Sequence, residues 1–294
     1  MKPTYDSEII PDAYERWASY RKSNTNFIID SVSSHKGIII LGAGRCNDID
    51  LLSLSRHYPE VMLVDRDMVA MQEALITYGL QCNEHIHIVQ QNFTKVDDKC
   101  VDEFRNMLYK KKDFDVVLEY LDNMVGQHTT TYIYEFLENV PEDVYDTVVC
   151  IGVHSQLVIR LIYILEEYRH HFTTEQLERL KHRLSDLVDI TSKNLNNNIF
   201  SIPGIKYTYI GYEYAAFYDS DEKMVEDIKY LFEHGMAGKV AEYNLPRVEG
   251  AYECELDLTR RLHNNTLEIQ GFLYNVWPFT ENKEYLTILY MLEE

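Results

Sequence analysis

The chain has 294 residues, 46% of them hydrophobic and 26% charged, an ordinary globular balance that argues against disorder and suffices for one large α/β domain, or for a core with an inserted lid. Its 48 acidic against 28 basic residues leave a net charge of −20, which argues against DNA, RNA or an anionic membrane as main partner and favours a neutral or cationic small molecule or peptide. The five cysteines, Cys46, Cys82, Cys100, Cys150 and Cys254, form no CxxC pair, no apolar h-region lies between Met1 and Asp12, and no apolar run nears the ~20 residues of a bilayer span, so a cytoplasmic location is expected.

A single domain over residues 1–294 is expected, opened by an N-terminal helical segment at 1–35, where Tyr14, Trp17, Ala18, Tyr20, Phe27, Ile28 and Val32 recur at helical spacing. Residues 38–41 form a β-branched run ending at Gly42, read as a strand buried on both faces. A helix is predicted over 47–57, a second strand over 61–64 ended by Asp65, a helix over 67–78 and a third strand over 86–89. This alternation implies a parallel sheet with right-handed crossovers. Helical spacing then prevails from 99 to 139. Residues 145–152 read as the fourth strand, with the stretch before them as an insertion; the competing parse places that strand at 114–118, because short apolar runs are ambiguous by periodicity alone. A helix follows over 155–168, and Thr173 with Gln176 offers a capping box for a long helix reaching about Leu195, with a polar loop at 194–198. Residues 207–218 read as an aromatic strand and 221–234 as a helix stopped at Gly235. Residues 266–277 and 284–292 read as an antiparallel hairpin. The helices at 99–140 and 173–200 exceed what sheet crossovers need and are expected to form a lid.

The first chemical constellation is Leu41-Gly42-Ala43-Gly44-Arg45-Cys46-Asn47-Asp48, a strand running into a glycine turn and then a helix. The glycines let a ligand approach the backbone, and a helix starting near Asn47 would present free N–H groups to the same spot. Asp65, ending the next strand, can accept hydrogen bonds from the ribose hydroxyls of an adenosine. Asn92 and Phe93 lie just past the third strand, where ligands bind in open α/β sheets. Asn92 would bond an adenine edge and Phe93 would pack on the ring; equally, Asn92 is a turn residue and Phe93 is core.

These segments, with residues 145–157 and the terminal hairpin, resemble the class I S-adenosylmethionine-dependent methyltransferases. The resemblance implies a Rossmann-like, mostly parallel seven-stranded sheet with an antiparallel last strand and helices on both faces. It also implies S-adenosylmethionine as cofactor and methyl transfer to oxygen or nitrogen of a small-molecule or peptide acceptor. Gly42, Ala43, Gly44 and Asn47 would wrap the methionine end, Asp65 with Arg66 the ribose, and Asn92 with Phe93 the adenine. Ile151 and Gly152 would border the methyl-transfer site. The acid usual two residues before the first glycine is Ile40 here, with Asp48 or Asp50 expected to compensate, and Asn47 replaces a third glycine.

Such chemistry needs alignment and desolvation rather than a triad or metal. His154 is the candidate general base, with a helix-capping or wall histidine as the bland alternative. Gln156, Tyr212 and Glu213 are candidate acceptor contacts, the tyrosines and carboxylate forming a wall for a cationic amine or, alternatively, half-buried sheet. His170-His171 and His85-x-His87 lack partners at metal-ligand spacing, so no metal is expected. An NAD-dependent oxidoreductase shares the glycine turn and ribose acid, and a non-catalytic binding protein on the same fold is the third reading.

Overall fold

The computed structural model describes residues 10–293 apart from 34, 131–132, 219–220, 235, 237–238, 241–242 and 244. The expected helix stop at Gly235, part of the loop around residue 34, and residues 1–9 of the N-terminal segment lie outside the described residues. Within the described chain, α1 (Ala13–Arg16) and α2 (Ala18–Asp30) lead into β1 (Gly37–Leu41), α3 (Leu51–His57), β2 (Glu60–Asp65), α4 (Met68–Thr77) and β3 (Ile86–Gln90). Two helices follow, α5 (Asp98–Tyr109) and α6 (Phe114–His128), before β4 (Thr147–Ile151), α7 (Ile159–Glu167) and the long α8 (Thr174–Phe200). The chain closes with β5 (Tyr207–Tyr218), α9 (Glu222–Glu233), α10 (Ala251–His263), β6 (Glu268–Thr280) and β7 (Lys283–Glu293).

The seven strands form one sheet in the order β3-β2-β1-β4-β5-β7-β6. The first five run parallel, and β7 lies antiparallel between β5 and β6. This is the Rossmann-like sheet with a reversed last strand that the sequence leads one to expect. Strand alternation divides the core in two. Ile38 and Ile40 face Ile28 of α2, Leu51 and Leu54 of α3 and Met71 of α4, whereas Ile39 and Leu41 face Leu195 and Ile199 of α8 and Cys254 and Leu258 of α10. A third cluster joins α5, α6, α7 and the first half of α8 through Phe104, Leu121, Leu161 and Leu184. No helix among the described residues is long and apolar enough to cross a membrane, and all five cysteines are free thiols.

The fourth strand falls where it is expected, and three readings change. The fourth strand is 147–151, and residues 114–118 open α6, whose buried Val117, Leu121 and Met124 continue the helical spacing that a five-residue window cannot show. The expected helix over 155–168 is a 3₁₀ turn at His154–Gln156 followed by α7. The expected polar loop at 194–198 is instead the last turns of α8. The Thr173–Gln176 capping box starts that helix as expected. Three of its four asparagines are buried because each finds a tertiary partner: Asn194 Nδ2 donates to His128 O (3.0 Å), Asn196 bonds His154 and Asp257, and Asn198 Oδ1 accepts from Tyr134 N (2.9 Å). Finally, α10 has no counterpart in the sequence reading. Asn198→Leu is expected to lower the unfolding free energy by about 1–3 kcal/mol, because it strands a buried backbone N–H; urea titration checks this, a loop asparagine costing under about 0.5 kcal/mol.

Candidate functional site

The chain reverses direction across the sheet between β1 and β4. In an open α/β sheet the crevice at such a switch point is where the loops separate and ligands bind. Gly42 leaves β1 with φ +70°, and its N–H and that of Ala43 both donate to Val64 O (2.8 and 3.2 Å). A Cβ at Gly42 would stand 2.2 Å from Val153 Cγ2, so only glycine lets the loop after β4 close on the turn. Gly44, at φ +46°, faces open space with Asp65 Oδ2 at its edge, 4.0 Å from where a Cβ would be. Its N–H donates to Asp65 Oδ2 (3.0 Å), and Asp67 N donates to Oδ1 (2.8 Å). Burial raises the Asp65 carboxyl above its ordinary range while these two N–H groups pull it back. Glycine turn and carboxylate therefore lie side by side at the carboxyl rim.

The segment after the turn departs from expectation: α3 begins at Leu51, so Asn47 opens no helix. Residues 46–50 are a loop pinned from outside. Tyr78 OH donates to Cys46 O (2.9 Å) and Ile49 O (3.0 Å), Asn24 Nδ2 to Asp48 O (3.2 Å), Arg21 Nη1 to Asn47 O (3.4 Å), and Asp50 N to Thr25 Oγ1 (2.7 Å). Asp50 caps α3 through Ser53 N (3.0 Å), which stops the helix from starting earlier. In place of helix amides the loop supplies Asp48. Its Oδ1 is shielded without a hydrogen-bond partner, and its carboxyl is pushed up to about 7, by burial first and then by the charge of Glu213, against the pull of Arg21.

Glu213 sits at a bulge in β5, only 3% exposed. Ser155 Oγ donates to its Oε1 (3.0 Å), Gln156 Nε2 donates to Ser155 Oγ (3.1 Å), and Oε2 has no partner. Gly152, at φ +68°, brings its backbone close, a Cβ there lying 3.5 Å from Oε1. Burial raises the Glu213 carboxyl, with Ser155 and Lys283 opposing. The rim thus assembles Gly42, Ala43, Gly44, Asp48, Asp65, Ile151, Gly152, Gln156 and Glu213.

Other expected residues sit elsewhere. Tyr212 cannot share a wall with its neighbour Glu213, because successive strand side chains point to opposite faces; it is buried in the α8–α10 core. Phe93 is core, beside Tyr134 (5.5 Å between ring centroids), and Asn92 Oδ1 accepts from Thr94 N (3.2 Å) in a local turn. Arg66 is exposed, its carbonyl accepting from Gln90 Nε2 (2.9 Å). His154 is buried in a chain of bonds. Asn196 Nδ2 donates to Asp257 Oδ2 (3.0 Å), so Asn196 Oδ1 is the acceptor and the proton between them sits on His154 Nε2 (2.9 Å). Arg261 Nε closes the chain on Asp257 (2.9 Å). Burial pushes His154 down to about 4, so it is neutral at pH 7. Sequence reasoning missed Ser155 and the α2 clamp. The available signal was Arg21 and Thr25 on the same helical stripe as Ile28, polar groups on a buried face that demand partners.

No protein-family model and no curated protein matches this sequence. Solved structures that the chain resembles include an S-adenosylmethionine-dependent methyltransferase from Methanosarcina mazei (12% identity, 90% of this chain and 95% of that one, TM-score 0.42). Another is the magnesium protoporphyrin IX methyltransferase of Synechocystis PCC 6803 with bound S-adenosylhomocysteine (12%, 95% and 85%, 0.41). A protein of the NADB-Rossmann superfamily from Streptococcus agalactiae is a third (11%, 91% and 68%, 0.37). At such identities and scores, substrate and mechanism do not transfer.

Two groups at the rim titrate in opposite senses. Between about 4 and 7 folded Asp48 keeps a proton that the unfolded chain releases, so its contribution to stability falls as pH rises through that window. Asp48→Asn is therefore expected to stabilise the protein at pH 8 by about 1–3 kcal/mol and less at pH 5, read by denaturant unfolding at both pH values. His154 behaves inversely. From pH 6.5 down to about 4 the unfolded chain binds a proton that the folded one refuses, so stability falls as pH falls, and His154→Gln is expected to flatten that acid limb in the same titration.

Proposed function

We propose that this chain is an S-adenosylmethionine-dependent methyltransferase. The observation that carries the reading is the Asp65 carboxylate, bridged by Gly44 N–H and Asp67 N–H beside an open glycine turn at the switch point of the sheet. The residues present fit the cofactor. Asp65 accepts one bond on each oxygen from the chain, which leaves lone pairs for two ribose hydroxyls. The bare flank of Gly44 gives room for the adenosyl backbone, and the unpartnered Oδ1 of Asp48 supplies an acceptor for the methionyl ammonium where Ile40 supplies none. When bound, the cofactor supplies an electrophilic methyl group on a sulfonium centre; the chain's residues hold it, aim the acceptor and exclude water.

In this reading Ile151 and Gly152 border the transfer site, and His154 acts by positioning. Its Nε2 is engaged and its ring binds a proton too weakly to serve as base at neutral pH, while the bonds to Asn196 and Asp257 fix the loop that carries Gly152 and Ser155. The helices at 99–140 and the start of α8 are proposed as the lid. Anchors at the same rim support this: Lys95 N donates to His128 Nε2 (3.1 Å) and Tyr134 OH to Phe93 O (3.2 Å), tying the insertion to the loop after β3. The acceptor is a small molecule or peptide rather than a polyanion, given the charge of −20, and five free thiols suit the cytoplasm.

Calorimetric titration with S-adenosylhomocysteine tests the proposal. Binding in the micromolar range is expected, weakened about 10- to 100-fold by Asp65→Ala as hydrogen bonds to a charged acceptor are lost. Hydride transfer from NADH would establish the oxidoreductase instead, and an Asp65→Ala protein with unaltered ligand affinity would leave a binding module.

A further inference from the structure

A carboxylate withdrawn from water is costly unless a cation or hydrogen-bond donors replace the solvent. Glu213 has half of what it needs. Ser155 satisfies Oε1, while Oε2 is buried and unpartnered on a residue 3% exposed. Its charged surroundings do not supply the missing partner. Asp48 adds a second negative charge with an orphaned oxygen of its own, and the ammonium of Lys283, which favours the ionised form through space, lies over the Tyr285 ring at 4.5 Å. The carboxylate also stands beside open backbone, since Gly152 carries no side chain and only Glu213 Oε1, at 3.5 Å, comes within 4 Å of where its Cβ would be. On the far side of the switch point, Asp48 belongs to the glycine loop and its clamp.

We infer that Glu213 is the recognition site for a cationic amine, and that the methyl acceptor is therefore a primary or secondary ammonium compound whose nitrogen is methylated. The inference rests on the methyltransferase reading for its chemistry and on Glu213, Ser155 and Gly152 for its geometry. A neutral hydroxyl can donate one hydrogen bond to Oε2 but leaves the charge of the buried Glu213 uncompensated; an ammonium supplies both the donor and the charge. The strongly acidic surface raises the local concentration of such a cation.

The proton balance follows. The N–H bond of the bound ammonium breaks toward Oε2, which leaves Glu213 as the neutral acid and a lone pair on nitrogen. That pair forms the C–N bond as the methyl–sulfur bond breaks with its electrons staying on sulfur, so the sulfonium becomes a thioether and the positive charge passes to the methylated nitrogen. The acid then returns its proton to solvent as product leaves.

The test uses the full chain with 1,4-diaminobutane as the cationic probe and 1,4-butanediol as its neutral counterpart, each titrated calorimetrically with and without saturating S-adenosylhomocysteine. The diamine is expected to bind and the diol not, and Glu213→Gln is expected to weaken diamine binding at least tenfold while changing S-adenosylhomocysteine affinity less than threefold. Circular dichroism verifies that the variant folds; should it not, Glu213→Asp, which keeps the charge but withdraws it by one methylene, is expected to show the same selective loss. Diamine binding that survives Glu213→Gln, or that is absent from the wild type, overturns the proposal. Loss of S-adenosylhomocysteine binding in Glu213→Gln but not in Asp48→Asn also overturns it, by assigning Glu213 to the cofactor. Glu213-dependent diamine binding in a wild-type chain that ignores S-adenosylhomocysteine would uphold the amine site and remove the cofactor reading instead.

Discussion

The bond from Gly44 N–H to Asp65 is the contact on which the rest of the molecule's design turns. It exists because β1 and β2 are held in parallel register, Leu41 opposite Val64, so that the residues just beyond them emerge together at the rim. The register is fixed by burial on both faces. Slipping β1 by one residue would send Ile38 and Ile40 into the α8–α10 side and Ile39 and Leu41 into the α2–α4 side, exchanging two packed faces at once. A local polar contact is thereby guaranteed by the hydrophobic core beneath it. Val153 adds the second constraint: by resting where a Gly42 side chain would be, it ties the position of the β4 loop to that of the turn.

The same rim is electrostatically unfinished. Asp48 and Glu213 each keep one carboxylate oxygen shielded and unpartnered; burial raises both carboxyls, and the charge of Glu213 adds to the rise at Asp48. Arg21 offsets part of this for Asp48 from the buried face of α2, a helix held on its other contacts by Trp17 and Tyr20 against Trp277 and Phe279. A fold that keeps uncompensated charge beside an open glycine turn gives up stability at that place, which is the usual relation between a binding site and the scaffold around it.

What could be read from the chain follows the range of the interactions involved. The strand at 38–41, the turn at 42–44 and Asp65 were legible because each rests on local pattern: a β-branched run, glycines, and an acid at a strand end. The terminal hairpin was legible for the same reason. Residues 114–118 compete with 145–152 for the fourth strand because five residues cannot separate a strand from a helix, and the asparagines at 194–198 mislead because polar composition signals a loop only when the amides lack tertiary partners. Asn47 was assigned to a helix that the clamp from α2 and the Asp50 cap delay until Leu51. Tyr212 and Glu213 were grouped by adjacency, although a strand separates neighbours onto opposite faces. The amphipathic stripe at 251–263, which buries Cys254 and Leu258, passed unnoticed.

These differences divide the site into halves of unlike physics. The glycine-turn half is built across a separation of 21 residues, between Gly44 and Asp65, by one strand–turn–strand unit. The other half is assembled over much longer spans: 58 residues from Ser155 to Glu213, 42 from His154 to Asn196, and 61 from Asn196 to Asp257. Its wall is therefore set by how α8 and α10 pack against the sheet rather than by any short motif. Buried polar bonds of that kind depend on the packing that brings their partners together. A change in α8 or α10 far from the rim can thus reshape the region around Gly152 and Glu213 while the glycine turn and Asp65 stay as they are. It follows that the Glu213 side of the rim can change through helix packing independently of the glycine turn and Asp65, so that what it recognises has to be read from Glu213 and its long-range supports rather than from the turn.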